Sequence, residues 1–118
     1  MAQESIFRSF RYAWNGIRRC FTVERNMKIH FAAAIFAISL AWYLEFSRSE
    51  MAVVILTVAA VLVAEMMNTA LETIINLVSP EYHPLAGLAK DIAAGAVLLT
   101  ALASIIIGCL LYIPHMVI

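Results

Sequence analysis

Residues 51–77, the central apolar segment of the chain, read MAVVILTVAAVLVAEMMNTALETIINL. Residues 51–64 carry no charged side chain, and the rest continues with helical character. At ~1.5 Å per residue the whole stretch would form a helix about 40 Å long. The hydrocarbon core of a bilayer is only ~30 Å thick. The stretch therefore predicts a membrane-spanning helix.

The second half of this helix carries a polar stripe, which we define as Glu65, Asn68, Glu72 and Asn76. At 100° per residue their spacing places all four on one helix face. A carboxylate inside a membrane helix costs roughly 2.5–3.5 kcal/mol on insertion scales, so such residues usually have a function. The alternative is that the stripe only forms hydrogen bonds between helices.

Two further apolar segments flank the central one and predict two more spans. The first runs over about 27–44, and the second over about 89–113. A short charged loop, 45–50, precedes the central span, and Ser79, Pro80 and Pro84 are expected to break the helix after it. We therefore expect three transmembrane helices.

The N-terminal segment, about 4–24, has mixed basic and apolar character. Its apolar side chains recur at helical spacing, with arginines between them: Ile6, Phe7, Phe10, Trp14 and Ile17. Such a pattern predicts an amphipathic helix that lies in the headgroup layer of a membrane.

The overall composition excludes an ordinary soluble domain. Of 118 residues, 64% are hydrophobic and 14% charged, and the mean hydropathy is +0.89. Soluble domains average ~45–50% apolar and ~25% charged residues. We therefore expect one all-α membrane domain over residues 1–118.

The basic residues predict an orientation. Six of the eight Lys and Arg lie in the first 28 residues. Beside so apolar a chain, these residues favour a membrane surface over nucleic acid as the partner. With a cytoplasmic N-terminus, Lys90 is also inside and only Arg48 is outside, which satisfies the positive-inside rule. The C-terminus is then outside.

The residues alone leave three classes of function open. The paired carboxylates suit either metal-assisted chemistry on a lipid or ion movement, and a scaffold protein is the third possibility. A proton or cation relay would favour acidic residues in the outer half of the spans, but none occurs in 51–64. The phosphate-binding motifs of soluble kinases, G-x-x-x-x-G-K-[ST] and G-x-G-x-x-G, are missing from the sequence.

The stretch AEMMNTALE at 64–72 resembles the signature E-x-x-N-[ST]-[SA]-[LIV]-E of the prokaryotic diacylglycerol kinase and undecaprenol kinase family. The stretch PEYHPLAGLAKDIAAGAV at 80–97 is similar to the second motif of that family. FRYAWNG at 10–16 and ERNMKIH at 24–30 also match in order and spacing. The resemblance thus covers nearly the whole chain.

This resemblance implies a homotrimeric enzyme of the bacterial cytoplasmic membrane. It implies that ATP and Mg²⁺ are used to phosphorylate the hydroxyl of a membrane lipid at the cytoplasmic face. A single chain offers one polar stripe. We therefore expect the surface helix of one protomer to complete the site of another.

The family's roles can be transferred to the positions of this sequence that match its motifs. The resemblance implies that Glu65 is the general base on the lipid hydroxyl. It also implies that Glu24 and Glu72 hold Mg²⁺ on the ATP phosphates. Six further residues are implied to bind or orient the nucleotide: Tyr12, Asn68, Tyr82, His83, Lys90 and Asp91.

The chain departs from the family pattern at one position of the stripe. Asn76 stands where the family commonly has an acidic residue, so no carboxylate role is expected there. The segment 76–84, NLVSPEYHP, resembles the Gram-positive branch, for which undecaprenol is the usual lipid. Undecaprenol is therefore the expected substrate, and diacylglycerol is the alternative.

Overall fold

The computed structural model describes residues 2–117 and contains four helices. They are α1 (Ala2–Val23), α2 (Arg25–Tyr43), α3 (Arg48–Val78) and α4 (Pro84–Met116). No strand occurs among the described residues. The prediction of an all-α fold is confirmed.

A single residue separates α1 from α2. Glu24 has an extended backbone, with φ −97° and ψ 118°, so the chain changes direction there. Its backbone N–H still donates to the carbonyl of Cys20 at 2.9 Å. Phe21 packs edge-to-face against Phe31 with ring centroids 5.2 Å apart, which fixes α1 on the start of α2. α1 also contacts α3.

The connection between α2 and α3 is short and well capped. Glu45 has a φ of 59°, in the left-handed region that non-glycine residues rarely adopt. Ser47 and Glu50 then form a capping box. The backbone N–H of Glu50 donates to Ser47 Oγ at 3.1 Å, and that of Ser47 donates to Glu50 Oε1 at 2.9 Å. This cap starts α3 three residues before the predicted span.

Pro84 does not break a helix, as the sequence analysis expected, but begins one. It occupies the first turn of α4, where a missing N–H is tolerated and a fixed φ is favourable. His83 caps the same end, because its Nδ1 accepts the backbone N–H of Leu85 at 3.1 Å. α4 therefore begins at Pro84, before the predicted start of the third span at about residue 89.

α3 packs against both α2 and α4, but the buried part of the fold is small. Most of the buried apolar side chains are small or medium-sized: Met27, Ala34, Ala41, Val54, Val61 and Ala93. Small residues at a helix interface allow the backbones to approach closely. Many large apolar side chains, such as Phe36 and Leu99, are exposed. Such an outer surface suits lipid as the solvent.

Two helices, α3 and α4, are long and apolar enough to cross a membrane. The 19-residue α2 is not among the candidate spans found in the described residues, and it carries Arg25 and Lys28 in its first turn. α1, which covers the predicted surface helix except its last residue, Glu24, is not among them either. The three-span arrangement therefore remains a prediction for α2.

The ends of α2 and α4 meet the start of α3 in a cluster that we call the terminal clasp: Phe46, Glu50, Tyr112 and His115. The Tyr112 hydroxyl donates to the Ala37 carbonyl at 2.6 Å. His115 Nε2 lies 2.8 Å from Glu50 Oε2. The Phe46 ring packs on both aromatic neighbours, with centroid distances of 4.8 Å to Tyr112 and 4.5 Å to His115. The clasp joins three helices at one end of the molecule.

Candidate functional site

Burial decreases along the polar stripe towards the end of α3. The Glu65 side chain is 2% exposed, Asn68 and Glu72 are half-buried, and Asn76 is exposed. Glu65 is buried because it shares a helix face with Val54 and Val61, which pack in the interior. The stripe thus runs from the interior of the helix bundle to its surface.

One carboxylate oxygen of Glu65 is buried without a hydrogen-bond partner. This oxygen, Oε2, lies 3.6 Å from Nε2 of His30, which is too long for a hydrogen bond. The Thr69 hydroxyl does not serve it, because that group donates to the backbone carbonyl of Glu65 at 3.0 Å. A buried unpaired polar atom costs about 1–3 kcal/mol. Oε2 is therefore available to an incoming donor.

Asn68 links the next two members of the stripe. Its Nδ2 donates to Oε1 of Glu72 at 3.4 Å, and its own Oδ1 is buried without a partner. Oδ1 of Asn68 and Oε2 of Glu65 are the only buried side-chain atoms without a partner in the part of the chain that the structure describes. The stripe therefore has spare oxygen acceptors, which are the ligands that hard cations prefer.

The contact between His30 and Glu65 sets the register of α2 against α3. The two helices run antiparallel. Residues before His30 on α2 and residues after Glu65 on α3 therefore lie towards the same end of the molecule. At ~1.5 Å per residue, Glu24 lies about 9 Å before His30, and Glu72 lies about 10 Å beyond Glu65. Glu24 and Glu72 are therefore at similar depth, and both are half-buried.

No group of three or more His, Cys, Asp and Glu side chains that could hold a metal occurs in the described residues. This does not argue against Mg²⁺, because protein sites often hold that ion through one or two carboxylates together with substrate phosphates and water. Glu72, beside the unpaired amide oxygen of Asn68, fits this kind of site, and Glu24 lies at a similar depth. They do not fit a closed cage made by protein ligands alone.

The other predicted site residues lie near the same end but do not join the stripe. Lys90 is half-buried and Asp91 is exposed in the second turn of α4, while Tyr12, Tyr82 and His83 are exposed. Within the described residues, none of the five side chains forms a hydrogen bond or ion pair with the stripe. Their nucleotide-binding roles remain predictions.

His30 is not among the predicted site residues, although its Nε2 lies 3.6 Å from the buried oxygen of Glu65. A signal was present in the sequence. His30 follows Met27 by three residues and precedes Ala34 by four, and both of those residues are buried on α2. A polar residue on the packed face of an apolar helix indicates a partner across the interface.

A cavity of about 180 Å³ opens between α2, α3 and α4, with His30 at one end and Tyr112 at the other. Its wall includes small side chains such as Ala33, Ala37 and Gly108. The His30 ring therefore contacts an open space on one side and the Glu65 carboxylate on the other.

The sequence profile of the prokaryotic diacylglycerol kinase family matches residues 11–112. The chain is 45% identical over 107 residues to the diacylglycerol kinase of Synechocystis sp., covering 90% of this chain and 61% of the relative. It is 38% identical over 111 residues to the undecaprenol kinase of Bacillus subtilis, covering 94% and 90%. It is 29% identical over 110 residues to the diacylglycerol kinase of Escherichia coli K12, covering 93% and 90%.

Proposed function

The chain belongs to the prokaryotic diacylglycerol kinase family of lipid kinases, and from this premise we propose that it transfers the γ-phosphoryl group of ATP to the hydroxyl of a membrane lipid. One structural observation carries the proposal. A glutamate, Glu65, is 2% exposed in a helix apolar enough to span a membrane, and one of its oxygens has no partner.

Glu65 acts as the general base. The lipid hydroxyl donates a hydrogen bond to its carboxylate, and the proton moves to that carboxylate as the lipid oxygen bonds to the γ-phosphorus. The bond from the γ-phosphorus to the bridging oxygen breaks in the same transfer, and that oxygen leaves with ADP. General-base catalysis of this kind typically contributes ~10²–10⁴-fold to the rate. A base near the membrane surface can meet a lipid from one side and ATP from the other.

Glu24 and Glu72 would hold Mg²⁺ at the nucleotide end of the site. When bound, the ion neutralises charge on the ATP phosphates, which is a main requirement of phosphoryl transfer. Asn68 orients Glu72, as its amide hydrogen bond at 3.4 Å supports. Lys90 and Asp91 bind or orient ATP from α4, while Tyr12, Tyr82 and His83 contribute to the nucleotide site.

The protein is a homotrimer in a bacterial cytoplasmic membrane, with three spans per chain and α1 at the cytoplasmic surface. The N-terminus is cytoplasmic and the C-terminus is outside. The basic residues of the first 28 positions support this orientation, because the positive-inside rule concerns short segments close to the spans. The large exposed apolar surface of α2, α3 and α4 supports contact with lipid and with other chains.

Undecaprenol is the proposed lipid. The connection between α3 and α4, with the sequence SPEYH at 79–83, supports this choice through its resemblance to the Gram-positive branch. Diacylglycerol is the second candidate, and the 45% identity to a diacylglycerol kinase favours it. The relatives reported above are named as kinases, so the alternative of ion transport has no support.

The test is a kinase assay on purified protein with labelled ATP. Mixed micelles contain undecaprenol, diacylglycerol or neither, and each is run with and without Mg²⁺. We expect label on a lipid only with Mg²⁺, and more on undecaprenol than on diacylglycerol. Glu65→Gln serves as the matched control for contaminating kinases. Label on neither lipid, or equal labelling with the Glu65→Gln variant, would refute the proposed function.

A further inference from the structure

His30 is the one titratable side chain paired with the Glu65 carboxylate in the described residues. Its Nε2 is 3.6 Å from Oε2, and no donor of the described residues lies within hydrogen-bond distance of that buried oxygen. The pair joins α2 to α3 across the interior of the bundle. His30 has no role in the proposed reaction so far.

We propose that His30 is the positioning residue for Glu65: its Nε2–H holds one acceptor position of Oε2. The remaining acceptor positions of the carboxylate then face the lipid hydroxyl in a fixed direction. This inference rests on the proposed function of Glu65 as the general base. His30 itself touches neither lipid nor ATP, so it acts through Glu65 alone.

The distance between the two groups supports this role. A movement of less than about 1 Å would bring Nε2 to the ~2.7–2.9 Å of a charge-assisted hydrogen bond. Catalytic hydrogen bonds are often long in the absence of substrate and shorten when it binds. The cavity beside the ring leaves space for this movement.

A histidine suits this role better than Lys or Arg, because an imidazole can donate a hydrogen bond without carrying a permanent charge. Glu65 is 2% exposed, whereas His30 is 26% exposed and borders the cavity. A neutral imidazole N–H can hold one carboxylate oxygen without cancelling its charge, whereas Lys or Arg would add a full positive charge. The carboxylate thus remains able to accept the proton of the lipid hydroxyl.

The experiment compares three variants of the full-length protein in the kinase assay. His30→Leu removes the donor, and His30→Gln keeps an N–H donor at nearly the same distance from the backbone. His115→Leu is the matched control, because it removes the other histidine that pairs with a glutamate of α3. Activities are expressed per folded protein, measured by size-exclusion chromatography.

In His30→Leu we expect kcat to fall by about 10–100-fold, the range found when a hydrogen-bond partner that orients a metal ligand is lost. The KM values for ATP and lipid should stay within about twofold, because ground-state binding does not use the contact. His30→Gln should recover most of kcat, and His115→Leu should keep it. A parent-like kcat in His30→Leu, or an equal loss in His30→Gln, would overturn the proposal.

A second measurement does not depend on activity. The ring ¹⁵N signals of His30 are recorded in lipid bilayers for the parent and for Glu65→Gln. We expect the His30 signals to shift and those of His115 to stay, and unchanged His30 signals would contradict the contact. A parent inactive on every lipid refutes the proposed function, whereas an active parent with an unaffected His30→Leu variant refutes only the role of His30.

Discussion

α3 carries two glutamates that each face a histidine from another helix. The two pairs differ in whether the carboxylate oxygen that faces the histidine has a hydrogen-bond partner. In the terminal clasp, Glu50 is 2.8 Å from His115 and also completes the capping box with Ser47. In the interior, Glu65 is 3.6 Å from His30, and its Oε2 has no hydrogen-bond partner.

The hydrogen bonds of Glu50 stabilise the fold, whereas the unpaired oxygen of Glu65 can accept a hydrogen bond from a substrate. Glu50 is 30% exposed, so water can solvate whatever the protein leaves unpaired. Glu65 is almost fully buried, so its unpaired oxygen is costly and calls for a functional explanation. Residue type and partner type are the same in both pairs, so burial and hydrogen bonding carry the distinction.

The largest expected effect is the loss of catalysis in Glu65→Gln. We expect kcat to fall by ~10²–10⁴-fold, because the amide cannot act as a base. The oligomer should remain intact, since Gln keeps the volume of the side chain. Glu50→Gln is the matched control and should keep near-parent activity, because Gln also serves in a capping box. Parent-like turnover of Glu65→Gln would show that Glu65, like Glu50, has no catalytic role.

A smaller effect is expected when Glu24 or Glu72, the two carboxylates nearer the surface end of the stripe, is replaced. Glu72→Gln and Glu24→Gln should each raise the Mg²⁺ concentration for half-maximal activity by roughly tenfold or more, since each removes a hard oxygen ligand. Mg²⁺ titrations of the kinase activity measure this shift. The Glu50→Gln variant should titrate like the parent. If all three variants do so, Glu24 and Glu72 have another role.

Mixing two variants would show whether the site is completed by a neighbouring subunit, at a Mg²⁺ concentration low enough that Glu24→Gln alone has little activity. Glu24→Gln and Glu65→Gln chains are combined in equal amounts and allowed to exchange. About a quarter of the parent activity should return, because each intact residue is present in half of the chains and neighbours pair independently in a cyclic trimer. The control omits exchange. With exchange verified, activity at the level of the separate variants would place both residues in one chain's site.

The smallest effect is expected in the terminal clasp. Tyr112→Phe removes the hydroxyl that donates to Ala37 at 2.6 Å, while Phe46 can still pack on the ring. The free energy of unfolding should fall by about 0.5–1.5 kcal/mol, the usual net contribution of one hydrogen bond. The kcat per folded protein should not change. A loss of kcat at unchanged stability would show that the clasp also takes part in function.

The sequence predicts the four helices well because apolar periodicity and helix-breaking residues are local properties. The stripe from Glu65 to Asn76 is likewise visible in helical spacing alone. The prediction at Pro84 was wrong because, in sequence, a proline that ends one helix looks like a proline that begins the next. The two cases differ in the helix cap, and here His83 caps the start of α4. The pairing of His30 with Glu65 joins residues 35 positions apart, and the relative rotation of α2 and α3 decides it.

The sparse burial within one chain has a consequence for how stability must be measured. Six apolar side chains are buried among those described, while Phe36, Leu56, Leu77 and many other large ones face outwards. In the proposed membrane trimer, lipids and neighbouring chains supply the contacts that an interior core supplies in a soluble protein. A partner chain or lipid that binds only the folded protein stabilises it, and this stabilisation increases with the concentration of that partner or lipid. The melting temperature should therefore fall when the protein is diluted at constant detergent and rise when lipid is added back.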